Sequence, residues 1–400
     1  MNILKNPMKQ TKNIFLYYVI SFFSACIFLV PIWSFFFVNY LKFSFGTALF
    51  ITTFSGLISF IFEIPSGAWS DRFGRKITYI IGLIIILFGY SFYLWADNVF
   101  FFIISAFFQG IGFATTSGNI ESLIHDSLIE SKQEKEFKNI SANAYIYLFL
   151  GRGISALVAG YLFLLDPLFP IYGTIFAYGI SLALIFFLHE ANYHKTEAIT
   201  NMQQMKESFL FVSKNKTILI FLMLIFLQSG IGNIYWFTYQ PYLKHIGFSI
   251  KHIGIIFASI SFISAFGSYL IKSIQDKFTP IAIVRGIFYS IYLSSLFFYF
   301  LDNKFGLIPI ILLSITFGFI MPLGNNFLSS LVESSKKATV LSIFSFVVTI
   351  GYFSFATISG FLVDIFGLKS FYFGVMIFSF FLLMIDLIYF NKNKFLIFVK

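Results

Sequence analysis

Charge is what this chain has least of. Only 11% of its 400 residues are Asp, Glu, Lys or Arg, against about a quarter in a soluble domain. That scarcity excludes an ordinary water-soluble globule. There is one cysteine, Cys26, which excludes an intramolecular disulfide and any cysteine-based metal cluster. A buried structural thiol is its expected role. No Gly-rich phosphate loop ending in Lys-Ser or Lys-Thr occurs, which argues against ATP-driven chemistry. His125, Asp126 and Ser127 are consecutive, so on a helix they diverge by about 100° each and form no catalytic triad. No enzymatic activity, cofactor or metal is expected. The basic leader MNILKNPMKQTKN (1–13) lacks a small-residue cleavage site and reads as a cytoplasmic tail before a first helix.

What the chain does have is apolar length. Hydrophobic residues make up 58%, aromatics 22%, and mean hydropathy is +0.87. Twelve apolar segments stand out, at 14–39, 47–68, 77–95, 98–122, 139–163, 169–188, 217–240, 252–273, 281–301, 306–331, 339–363 and 370–390. Most approach or exceed the roughly 20 residues that a helix needs to cross a bilayer. The runs are continuous instead of alternating, which favours helices over a β-barrel. The chain is expected to be an all-α polytopic membrane protein.

An even number of spans puts both termini on one side. Of the Lys and Arg residues, 21 lie on the loops shared with the termini, 5 on the opposite loops, and Arg152 alone within a span. Positive charge stays inside, so both termini are expected in the cytoplasm of a bacterial inner membrane. The net charge of +10 is thereby explained by topology, and no nucleic-acid partner is expected. The polar stretch 189–216 separates an N-terminal six-helix bundle, 1–188, from a C-terminal one, 217–400. The halves carry an internal repeat of the kind that transporters show: GFATTSGN (112–119) with GFIMPLGN (318–325), Gly151 and Gly160 with Gly351 and Gly360, and DRFGR (71–75) with DKFTP (276–280).

Between the second and third segments the chain places four charges in six residues, within GAWSDRFGRK, residues 67–76. With twelve spans in two halves, this Gly-x-x-x-Asp-Arg-x-Gly-Arg-Lys pattern resembles the major facilitator superfamily of secondary transporters. EIPSG (63–67) and SGNIESLIHDSL (117–128) are similar to its drug- and metabolite-exporter-like branch. The resemblance implies twelve transmembrane helices in two pseudo-symmetric bundles. It also implies a cytoplasmic gate motif at Gly67, Asp71, Arg72, Gly74, Arg75 and Lys76. In physical terms the glycines allow a close approach and a tight turn, and Asp71 suits a helix N-terminus. Arg72 and Arg75 suit a carboxylate, with Asp126 the preferred partner.

Segments 1, 4, 7 and 10 line the central cavity in such transporters, so their polar residues are the substrate candidates: Gln109, Thr116, Asn119, Gln228, Asn233, Trp236, Tyr239, Asn325 and Asn326. Helix–helix glue is the alternative for each. Three charges lie within spans. Arg152 costs at least ~2.5 kcal/mol at mid-membrane, and Glu63 and Glu121 are proton-exchange candidates; a fixed pair of either carboxylate with Arg152 or a loop arginine is the structural alternative. Two features depart from the resemblance. Ala106 stands where many proton-coupled relatives have arginine, and GRGISALVAGYLF (151–163) has no proline. The expected function is alternating-access transport of a small organic solute by a monomer, coupled to protons, with export preferred and antiport implied. The alternatives are transport of an anionic metabolite or siderophore through Arg152, and a non-transporting membrane receptor or assembly partner on the same fold.

Overall fold

The computed structural model describes residues 7–190, 212–332 and 334–392, and among these every regular element is helical. Among the described residues there are fourteen α-helices: α1 Pro7–Ser24, α2 Phe45–Phe73, α3 Arg75–Ser91, α4 Val99–Thr116, α5 Asn119–Glu130, α6 Phe137–Leu165, α7 Phe169–Ile185, α8 Lys216–His245, α9 Ile250–Gln275, α10 Pro280–Phe300, α11 Leu307–Phe317, α12 Ile320–Leu331, α13 Ser334–Phe366 and α14 Leu368–Lys392. Lipid offers no partners for backbone polar groups, so apolar runs of this length satisfy them internally as helices. Nine stretches among the described residues are long and apolar enough to cross a membrane. They become the twelve expected spans once α1 and the shorter α7 are added and α13 is separated from α14.

Three of the twelve segments are not single helices. The first was expected to run unbroken over 14–39, but α1 stops at Ser24. A turn follows, then a short 3₁₀ turn, Val30–Ile32, and a π-helical turn, Phe35–Tyr40. Pro31 lacks an N–H and cannot continue an inner helical turn. The backbone freed by the break is used: Phe28 N donates to Thr174 Oγ1 of α7 at 3.1 Å. The fourth segment divides into α4 and α5 at Ser117 and Gly118, where Gly118 has φ 69°. The tenth divides into α11 and α12 at Gly318.

The chain forms two compact units. Unit 1 comprises 1–43, 50–196 and 250–258; unit 2 comprises 44–49, 197–249 and 259–400. Two helices therefore start in one unit and continue in the other: α2 after Leu49, and α9 after Ala258. Of the expected linker 189–216, residues 191–211 lie outside the described residues.

Within unit 1, α3 packs along α4 and α7, and α1 along α6 and α7. Within unit 2, α8 packs along α13, and α10 along α14 and α11. The repeated glycines sit at matching crossings. A Cβ on Gly151 of α6 would lie 2.2 Å from Phe22 O of α1 in unit 1. One on Gly351 of α13 would lie 2.6 Å from Phe226 O of α8 in unit 2. Small residues let membrane helices approach where lipid supplies no hydrophobic drive between them. Large apolar side chains such as Phe176, Tyr269 and Phe300 are two-thirds exposed or more. In a span, such exposure is the lipid face.

Candidate functional site

The charged loop between α2 and α3 is tied down almost entirely within unit 1. Gly74 adopts φ 91°, a left-handed conformation that glycine enters without strain, and it turns the chain directly from α2 into α3. Arg75 Nε then meets Asp126 Oδ2 of α5 at 2.6 Å, a pair that is mostly buried. Lys76 Nζ donates to the carbonyls of Phe186 at 2.9 Å and Leu188 at 2.7 Å, at the end of α7. That is the usual place for a cation at a helix C-terminus. The backbone N of Lys76 donates to Glu190 Oε1 at 3.1 Å, so Glu190 caps the start of α3. Next to it, Asn13 and His189 exchange two hydrogen bonds, of 2.9 and 3.0 Å. Glu190 was not anticipated from the sequence. The signal was available, since it is the first carboxylate after the sixth apolar segment.

The remaining loop residues stand differently. Arg72 lies 5.3 Å from the centre of the Phe73 ring, and among the described residues Asp126 pairs with Arg75 and not with Arg72. Asp71 is exposed. Gly67 is exposed, and a Cβ there would meet nothing within 4 Å. The close approach expected at Gly67 is therefore not made in this conformation.

The three candidates of the fourth segment are engaged in helix packing. Gln109 Nε2 donates to Ser105 Oγ at 2.9 Å, and its side chain lies against Gly89 of α3. Thr116 bonds back to Gly112 O at 3.0 Å and faces Gly82 of α3. Asn119 accepts a short hydrogen bond from Ser70 of α2 and donates to Thr115 O at 2.6 Å, bracing the break between α4 and α5.

Among the described residues, the charges of unit 1's spans form no ion pair. Glu121 is half-buried on α5, and the hydroxyls of Tyr17 and Tyr79 feel its charge. Arg152, midway along α6, is open to a water-sized probe, with Tyr178 and Tyr145 as its electrostatic neighbours. Glu63 is exposed on α2. Among the described residues no ion pair joins Arg152 to Glu63 or Glu121. Tyrosines surround this region: Tyr18 stacks on Tyr147 at 5.1 Å, and Asn143 Nδ2 donates to Tyr18 Oη at 3.4 Å. Tyr18, Tyr79, Tyr145, Tyr147 and Tyr178 were not anticipated, because aromatics are too common in this chain to stand out.

In unit 2, α8 carries a second, uncharged face. Trp236 stacks on Phe317 of α11 with centroids 5.8 Å apart, and Tyr239 Oη accepts from Gln240 Nε2 at 3.2 Å. Trp236, Tyr239, Gly232, Ser264 and Ser314 line a recess of about 30 Å³, room for about one water molecule. Asn233 donates to Ser229 O at 2.6 Å. Gln228 is only 2% exposed, and its Oε1 has no hydrogen-bond partner. Asn325 and Asn326 are exposed on α12, and Asn326 Nδ2 donates to Gln275 Oε1 of α9 at 2.9 Å. Among the described residues no cluster of His, Cys, Asp and Glu is fit to hold a metal ion.

Comparison with known proteins follows the same lines. The model of the Major Facilitator Superfamily matches residues 14–356. An uncharacterized MFS-type transporter, YxaM of Bacillus subtilis (strain 168), is 26% identical over 207 residues; the alignment spans 50% of this chain and 50% of that protein. Among solved structures, the nucleoside transporter NupG superposes with a TM-score of 0.82 at 16% identity, covering 99% of this chain and 100% of that one. A D-xylose–proton symporter superposes with a TM-score of 0.72 at 15% identity, covering 94% and 96%. At such identities the structures speak for the fold, and the family model speaks for descent: this chain is a multi-pass membrane protein that belongs to the Major Facilitator Superfamily of transporters.

Proposed function

We propose that the chain is a proton-coupled secondary transporter of a small organic solute, working by alternating access and directed to export. The observation that carries this reading is the state of the charges in unit 1. Glu121 lies in a span, is half-buried, and has tyrosine hydroxyls instead of a cation beside it. Intramembrane acids of this kind are functional by default. Glu121 is therefore the residue proposed to take and release the coupling proton. The exporter-like motifs support the direction.

Arg152 favours a second reading. A guanidinium that is open to a probe and has no carboxylate partner suits an anionic solute, gripped through its planar fork. In that case the solute, and not a side chain, supplies the counter-charge.

The experiment is a flux screen in membrane vesicles with and without a pH gradient. Glu121→Gln is expected to abolish gradient-driven movement while sparing solute exchange at equal concentrations. If Glu121→Gln follows the gradient as the wild type does, Glu121 is not the coupling group. Arg152→Lys separates the two readings: it raises the KM of an anionic solute and leaves a neutral one unaffected.

A further inference from the structure

We infer that Asp364 is a gating residue: it clasps the first turn of α2 and must let go of it during the transport cycle. The inference rests on the alternating-access reading above. Helix α2 begins in unit 2 and continues in unit 1 after Leu49. Inside unit 2 its start is held by one carboxylate at the end of α13. Asp364 Oδ1 accepts from Phe45 N and Oδ2 from Gly46 N, each at 2.8 Å. These are among the amide hydrogens that a helix start leaves without partners, and the positive end of the helix dipole favours an anion there.

Helix α2 does not need Asp364 in order to begin. Its own Ser44 already caps it, with Ser44 Oγ accepting from Thr47 N at 3.2 Å. Asp364 therefore adds little to the helix itself; it fastens α2 to α13. The approach depends on two glycines. A Cβ on Gly46 would lie 2.6 Å from Phe361 Cδ1 and 2.8 Å from Asp364 Oδ2, and one on Gly360 would lie 2.8 Å from Gly46 Cα. Asp364 is exposed, so water competes for the carboxylate and the clasp is reversible.

The repeat shows that this contact is an addition to the fold. In unit 1 the start of α9 crosses α6 in the same manner, with a Cβ on Gly160 placed 2.7 Å from Ile250 O. The residue 200 positions before Asp364 is Leu164, apolar and exposed. The glycine crossing is common to both units, whereas the carboxylate is present in one.

The test uses Leu49→Cys in a Cys26→Ser background, because Leu49 is fully buried beside Gly360. Asp364→Ala is expected to raise labelling of this cysteine by a membrane-impermeant maleimide about two- to fivefold, the usual weight of an anion at a helix start. Asp364→Glu should restore slow labelling. Gly46→Val, which pushes the same contact apart from the other side, should raise labelling independently. Melting temperature should be unchanged in Asp364→Ala. Unchanged labelling in both Asp364→Ala and Gly46→Val overturns the clasp. So does a lower melting temperature with unchanged labelling, which would make Asp364 a plain structural cap. Labelling needs no solute, so its failure is distinct from failure of the transport reading, which the vesicle flux decides.

Discussion

Asp302, in the turn after α10, accepts from Lys369 Nζ at 2.7 Å and has His245 Nε2 at 3.4 Å. The hydrogen bond from Lys369 is the main cause that holds the Asp302 carboxyl below its ordinary range; slight desolvation opposes it, and the charges of Lys369 and His245 reinforce it. The folded-state pKa is depressed, so the stabilisation is present above the unfolded value, about 3.9, and is lost as pH falls through the folded one. The effect is small because the pair is exposed. Melting temperature should therefore drop more steeply below about pH 4 in the wild type than in Asp302→Asn, and the two curves should converge at the acid end. Parallel curves would remove this pair from the account. The sequence makes some residue contacts legible and hides others. The pairing of Arg75 with Asp126 follows from a dense cluster of charge in a charge-poor chain, which must find a counter-charge nearby. The choice of Arg75 over Arg72 depends on the direction each leaves the Gly74 turn, and that is set only in three dimensions. Likewise Gln109, Thr116 and Asn119 visibly share one side of a helix, but nothing in their spacing says that the side meets the glycines of α3.

At the scale of elements, the α2–α3 turn is a scaffolded piece with one free edge. Arg75, Lys76 and the capped start of α3 bind it to α5 and to the end of α7, while Asp71 and Arg72 stay on the exposed side. Glu190 is the link that the sequence concealed, since it acts through a backbone N–H. Removing a helix cap costs about 0.5–2 kcal/mol. Glu190→Ala should therefore lower the unfolding free energy by an amount in that range, and Glu190→Gln, which keeps an acceptor, by less. Equal stability of Glu190→Ala and the wild type would show that water replaces the cap freely. The helices themselves were readable because long apolar runs in lipid have one backbone solution. Their breaks were not, although Ser117–Gly118 is a turn dipeptide and Pro31 lies within the first run. Apolar composition continues through both points, and the hydrophobic signal that reveals a span masks the interruption inside it.

At the scale of the whole molecule, the repeat and the charge map support one another. Matching glycine crossings, Gly151 on α1 and Gly351 on α8, place equivalent helices at equivalent positions in the two units, as duplicated transporter halves require. With six spans in each half, as we propose, each half returns the chain to the side from which it started. With 21 Lys and Arg residues on one set of loops against 5 on the other, we propose that this side is the cytoplasm. Lys135 and Lys304 are exposed on opposite sets of loops. In a Cys26→Ser background, Lys135→Cys should react with an impermeant maleimide only in inverted vesicles, and Lys304→Cys only in intact cells. Neither change disturbs the charge bias much, because each removes a single cation from its set. If both cysteines react from the same side, an even number of spans lies between the two loops instead of the expected five. Helix α7 would then be the place to look, since at 17 residues it is shorter than the roughly 20 that a crossing needs.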